Sequence, residues 1–323
     1  MRIVVVNRHP MHDTYAARIC KALDDAGHDV RFLGAAAAGN SAFQRIRTGR
    51  PPWRGPIPPL RSWVLDYQDR KRWDLRQADR VIDLDAVRAL WVLPRGPNVR
   101  VVHRIDELCP SSSRGRARRA RLREVARRGD RFVAHTEIAR GVLADIIGDD
   151  AVVQVPLLGP EPSPRPPHIP SHPANLLFVG TDRTEKGLDL LRSAAEATGN
   201  AVRCIGGIGY PLSEEQLAAA YADCDLVVCP YRDEYAATGS ASLVIAEAIA
   251  YAAPVLATPA LRGLFPVGYG GVEFATAASA PALTEALRSL DLARLSARAS
   301  VEAPAAAALA APRAYVSALL AFS

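Results

Sequence analysis

Asn175–Leu191 reads NLLFVGTDRTEKGLDLL: an apolar run closed by Gly180, a polar loop, then Lys186-Gly187 opening a segment of helical periodicity. The run is short enough for a buried strand. In an open α/β sheet such a strand-loop-helix junction lies at the carboxyl edge, where ligands bind. A helix N-terminus there offers unpaired N–H groups to an anion, and a lysine adds a full positive charge. The order GxxxxGK[ST] is absent, so this is a phosphate cradle of a different kind from a P-loop. The plainer alternative is a surface lysine at a helix start.

A second junction follows. Asp225–Pro230, DLVVCP, is another buried strand, leading through the loop YRDEYAATGSAS into the helix LVIAEAIAYA and then, after Pro254, the strand PVLAT. Two strand ends that deliver small residues, amide donors and charges to one sheet edge suit a nucleotide diphosphate.

Together the two blocks resemble the carboxyl-terminal half of the GT-B glycosyltransferases, specifically the retaining group called family 4. Its members carry a strand-G-R-x4-K-G loop and an E-x7-E helix before a strand like PVLAT. The match covers roughly Asn175–Pro259 and extends to the amino-terminal half in outline. The resemblance implies an α/β chain of two Rossmann-like domains facing each other across a cleft. It also implies transfer of a sugar from a nucleotide-diphosphate donor to an acceptor hydroxyl, with retention of configuration. The nucleotide sugar would be a co-substrate, with no further cofactor.

The resemblance assigns roles residue by residue. Lys186, six positions after Gly180, matches the diphosphate lysine. Thr181 stands where the family has arginine, and Arg183, two residues on, is placed to reach the same phosphate. Glu247 lines up with the second glutamate of E-x7-E, which binds the ribose hydroxyls. A carboxylate in the apolar helix LVIAEAIA needs partners in any case. The first glutamate, which meets the donor sugar, is replaced by Gly239. Asp233 or Glu234 could substitute for it, and backbone amides of Thr238–Ala241, with Gly239 and Ser240 among them, could cradle oxygens. In VRVVHRIDEL, His103 and Asp106 are the candidates facing the sugar from the first domain. Asp106 and Glu107 could instead cap the next segment. His9, His12 and Trp53 are candidate acceptor contacts, and Gly206–Gly209 fits a glycine-rich turn near the base.

Outward from these motifs, 323 residues suit two domains of about 150 each. Residues 1–155 read as a Rossmann-like acceptor-side domain, with strands at Arg2–Val6, Asp29–Leu33, Arg80–Leu84, Val99–His103 and Arg131–Ala134. G-x-G-x-x-G is missing, so no dinucleotide site follows. Residues 156–173 hold eight prolines and form a stiff connector. Residues 174–302 form the nucleotide-sugar domain. Residues 303–323 form an Ala-rich helix that, by the resemblance, crosses back to the first domain.

No apolar run is read as reaching the roughly 18–20 residues that span a bilayer, and the apolar run in MRIVVVNRHP is too short for a signal peptide and reads as a first strand. The expectation is a cytoplasmic protein. Five scattered cysteines without a C-x-x-C pair read as buried, reduced thiols. No His/Asp/Glu cluster has metal-ligand spacing, so no metal is expected. The net charge is +6, concentrated in Arg114–Arg128, where eight arginines face one glutamate. Such a run could contact an anionic membrane at its inner face or simply be a solvated helix face. It contains no aromatic residue to stack on bases, which counts against nucleic acid as a partner. A nucleotide sugar and a small-molecule or glycan acceptor are the partners read here. Two rival readings keep the fold: a catalytically degenerate binding or scaffold protein, favoured by Gly239, and a sugar-nucleotide epimerase, which would act without an acceptor.

Overall fold

A computed structural model describes residues 1–7, 13–34, 47–49, 77–84, 98–163, 165, 170–206, 213–310 and 312–321. His9, His12, Trp53 and Gly207–Gly209 lie outside them. The chain forms two compact units, Met1–Pro156 with Pro312–Ser323, and Leu157–Ala311.

The first unit holds seven parallel strands: β1 (Arg2–Asn7), β2 (Asp29–Gly34), β3 (Arg47–Gly49), β4 (Arg80–Asp83), β5 (Val99–Val102), β6 (Arg131–Ala134) and β7 (Val152–Gln154). Their order is β3-β2-β1-β4-β5-β6-β7. The chain winds outward from β1 in one direction and from β4 in the other, so a topological switch lies between those two strands. Described helices of this unit are α1 (Asp13–Asp25), α2 (Ser113–Arg127) and α3 (Glu137–Ile147). Ser112 and Thr136 cap the last two by accepting from Gly115 and Ala139 N–H.

The second unit is a parallel sheet in the order β12-β11-β10-β8-β9. Its strands are β8 (Asn175–Val179), β9 (Ala201–Ile205), β10 (Leu226–Cys229), β11 (Val255–Ala257) and β12 (Val272–Phe274). Its helices are α4 (Leu188–Thr198), α5 (Glu214–Asp223), α6 (Asp233–Ala237), α7 (Leu243–Ala250), α8 (Ala280–Ser289) and α9 (Leu292–Ala308), and α10 (Pro312–Leu320) returns to the first unit. Leu176, Leu177 and Phe178 are buried because helices cover both faces of a parallel sheet, and each contributes about 1.5–3 kcal/mol. Here the switch falls between β8 and β10, the two strands whose sequences decided the reading.

Three expectations need adjustment. Cys109 and Cys204 are exposed, the first in a loop and the second on the edge strand β9; Cys20, Cys224 and Cys229 are buried. Leu292–Leu320 is, by length and composition alone, long and apolar enough to cross a membrane. Its two helices instead bury one stripe each, Leu295, Ala299, Ala303 and Ala307 in the second unit and Tyr315, Val316 and Leu319 in the first. Lastly, the second unit begins at Leu157, inside the stretch read as a connector, and the return to the first unit falls at Ala311–Pro312.

Candidate functional site

At the end of β8 the backbone turns through Gly180 at φ +126°, whose N–H donates to Ile205 O at 2.8 Å. A short 3-10 turn, Thr184–Lys186, carries the chain to Gly187 at φ +64°, which begins α4. A Cβ on Gly187 would overlap the carbonyl oxygen of Pro230, so only glycine lets the β8 and β10 loops approach this closely. Arg232 reinforces the approach: its N–H donates to Glu185 O, its Nε donates to Thr184 O, and its guanidinium pairs with Asp189.

The Lys186 side chain folds back over this turn. Its ammonium occupies the space a Cβ on Gly180 would need and lies 5.5 Å from the centre of the Tyr231 ring. Burial of that ammonium, and then the nearby Arg183 charge, lower its pKa to about 8; Cys229, Glu185 and Glu247 act in the opposite sense. Gly180, Arg183, Lys186 and Glu247 therefore share one electrostatic neighbourhood at the β8/β10 switch. Arg183 is also paired with Glu185 at 3.3 Å. Glu247 is 3% exposed on α7, and the Tyr221 hydroxyl donates to its Oε2 at 3.0 Å.

Thr238, Gly239 and Ser240 behave otherwise. Thr238 closes α6, and Gly239 follows in the left-handed region at φ +62°. Their amides are committed: Thr238 N–H donates to Tyr235 O, Gly239 N–H to Ala236 O, and Ser240 N–H to Thr238 Oγ1. The turn that ends α6 consumes donors that the sequence reading had offered to a ligand. Further along, Ser242 caps α7 without a side-chain bond, its Oγ lying 3.4 Å from the buried Tyr231 hydroxyl.

In the first unit, β5 and β6 are neighbours, and each ends on a histidine. His103 follows Val102 and His135 follows Ala134, with ring centres 5.2 Å apart. Tyr15 on α1 stands edge-on to both. Asp106 lies in the first turn of a 3-10 segment and is exposed. Burial would raise its pKa, but the bidentate bonds and charge of Arg104 outweigh this and hold it below the usual carboxylate range. At the opposite end of the strands, Arg100 is buried between Asp83 and Asp130, so Asp83 is an ion-pair partner inside the sheet.

Much of the arginine run serves α2 and its surroundings. Arg116 donates to Pro110 O and Ser111 O, Arg118 pairs with Glu107, Arg123 donates to Ile146 O and Arg128 pairs with Glu124. The charges of Arg121 and Arg127 also act on Glu124. Among those residues, no group of three His, Cys, Asp or Glu is placed to hold a metal.

The family model for glycosyltransferase family 4 matches residues 13–157, and the model for glycosyl transferases group 1 matches residues 166–291. The chain is a GT-B glycosyltransferase resembling family 4. Solved structures share the fold of this glycosyltransferase over nearly the whole chain. A glycosyltransferase from Rickettsia africae is 14% identical with a TM-score of 0.67, over 99% of this chain and 98% of that one. HepE from Anabaena, solved with UDP and glucose, is 16% identical with a TM-score of 0.66, over 99% of each. The lipopolysaccharide outer core galactosyltransferase WaaB is 12% identical with a TM-score of 0.60, over 99% of each. No curated protein sequence matches the chain.

Tyr231, Tyr221 and His135 also belong to these two edges, with little in the sequence to single them out. Tyr231 directly follows DLVVCP, and an aromatic there reads as ordinary core. A signal for His135 was present: VVH at the end of β5 is echoed by FVAH at the end of β6, and adjacent parallel strands place both at one edge.

Proposed function

We propose that this glycosyltransferase moves a sugar from a nucleoside-diphosphate donor to an acceptor hydroxyl with retention, acting as a cytoplasmic enzyme without a cofactor or metal. One observation carries the donor reading: Lys186 and Glu247 lie in electrostatic reach of each other at the β8/β10 switch. A leaving diphosphate gains negative charge as the glycosidic bond breaks, and the Lys186 ammonium, with Arg183 beside it, stabilises that charge. Glu247 accepts from the ribose hydroxyls, a role in which Tyr221 fixes one of its oxygens. His103 and Asp106 serve the acceptor side, where a small molecule or glycan would enter. HepE, similar in fold, was solved with UDP, which supports UDP as the first nucleotide to try. Retention rests on the resemblance to family 4. Membrane contact through α2 does not enter the proposal.

Gly239 favours a second reading, a binding protein without turnover, because the position of the first glutamate holds a helix-closing glycine. Thermal unfolding with UDP, GDP, ADP and dTDP tests nucleotide binding. A ligand at about a hundred times its Kd adds roughly 2.7 kcal/mol, a shift of a few degrees at this size. One nucleotide should shift the native protein and fail with Glu247→Ala; no shift with any of the four would sink the donor reading. Nucleotide binding without hydrolysis or transfer of the matching nucleotide sugar would favour the binding protein.

A further inference from the structure

Behind His103 lies a buried chain of polar groups that the donor chemistry does not use. Tyr15, His135 and Tyr315 are buried, Tyr315 reaching this place on α10. The Tyr15 and Tyr315 hydroxyls are hydrogen-bonded to each other. Tyr15 Oη lies 3.2 Å from His135 Nε2, and His135 Nδ1 lies 2.8 Å from Val155 O. A carbonyl only accepts, so His135 must carry its proton on Nδ1 and present Nε2 as an acceptor. Tyr15 must then donate to Nε2, and its oxygen accepts from Tyr315. The hydrogen bonds run in one direction, from Tyr315 to Val155.

Burying three such groups is costly where apolar side chains would fill the same space, and the cost is met only if every bond is made with good geometry. The same requirement fixes the rings. His103 lies against two of them, 5.4 Å from the Tyr15 ring and 5.2 Å from His135. It is half-buried, whereas the rings beside it are enclosed. We propose that Tyr15 and His135 are positioning residues for His103, with Tyr315 of α10 setting the direction of their hydrogen bonds. The link to sugar transfer rests on the acceptor-side reading of His103. The network is uncharged: burial lowers the His135 pKa to about 4, and burial followed by mutual interaction pushes the Tyr15 phenol well up. It therefore acts through geometry.

The test uses the full chain labelled with 13C and 15N in histidine, the His103 ring signals being assigned by their loss in His103→Gln. Tyr15→Phe and Tyr315→Phe keep every ring and its magnetic shielding and remove one hydroxyl each. The expected result is that both variants move the His103 ring signals while the melting temperature falls by only a few degrees. With UDP-glucose as the probe donor, kcat falls about tenfold in Tyr15→Phe and the donor KM stays, as expected when a reacting geometry loosens. Unmoved His103 signals in both variants, with only the melting temperature lowered, overturn the positioning role and leave ordinary core. Native turnover in His103→Gln overturns the acceptor-side reading separately. The ring signals are read without substrate and depend on neither donor nor acceptor.

Discussion

At the ends of β8 and β10 the chain gathers an ammonium, a guanidinium and a buried carboxylate. At the ends of β5 and β6 it gathers two imidazoles and a phenol, with a second phenol beside them. Both regions are carboxyl edges of parallel sheets. What differs is how the side chains respond to burial. Around Lys186, burial leaves a cation uncomfortable and primed for an anionic partner. Around His135, burial keeps an imidazole neutral and locks it in a hydrogen-bonded chain. The second unit's edge should therefore answer to charge, pH and salt, and the first to geometry.

The largest effect should come from removing the cation. Lys186→Ala takes away a fixed positive group that meets charge developing on the leaving diphosphate, and turnover of the donor should fall about 10²–10³-fold. Substitution at His103 should cost less and leave donor KM unchanged. Equal losses of kcat with unchanged donor affinity at both edges would break the contrast.

Gly187→Ala probes the approach of the two loops. The new methyl meets a backbone carbonyl and the position has positive φ, so neither partner can step aside cheaply. A loss of about 3 kcal/mol in denaturant unfolding is expected from overpacking and backbone strain together. Gly129→Ala makes a useful reference: its φ is also positive, +94°, but a Cβ there meets nothing within 4 Å. Similar losses in both would mean that backbone conformation, and not the contact with Pro230, requires the glycine.

This pair of glycines also marks how far the sequence could be read. Buried strands such as Leu226–Cys229 and Val255–Ala257 were legible to the residue, since an apolar run between helices has few other uses in a parallel sheet. Lys186 and Glu247 were legible as charged residues at strand-loop-helix junctions or in an apolar helix. Their mutual nearness came only from the resemblance, because it depends on strand order, which places β8 beside β10 although β9 lies between them in sequence. The Thr238–Ser240 amides looked available for the opposite reason. A glycine among small residues reads as a cradle until α6 is seen to end there and take those donors for its own closure.

pH separates the two edges by sign. His135 would titrate near 6.5 in the unfolded chain and near 4 in the folded one. As pH falls from 6.5 to 4 the unfolded state binds the extra proton, so stability is lost, on the order of 3 kcal/mol by pH 4. Urea titrations at pH 7, 5.5 and 4.5 should show this slope, and it should flatten in His135→Gln. Lys186 acts at the other end of the scale. Its protonated form attracts the diphosphate, so nucleotide affinity should hold below pH 8 and fall up to about tenfold per pH unit above it. A flat affinity profile from pH 7 to 9.5 would remove Lys186 from the site.

The smallest expected effect belongs to Arg104 and Asp106. Their side chains are 31% and 40% exposed, and a pair in that setting rarely contributes more than about 1 kcal/mol. Arg104→Ala should barely change the melting temperature, yet it frees a carboxylate that is otherwise held in a bidentate grip. Were Asp106 to meet the acceptor, that release would alter acceptor KM while leaving donor KM alone. An Arg104→Ala enzyme unchanged in both constants would reduce Asp106 to a surface partner of Arg104. The working part of the first edge would then narrow to His103 and the rings that hold it.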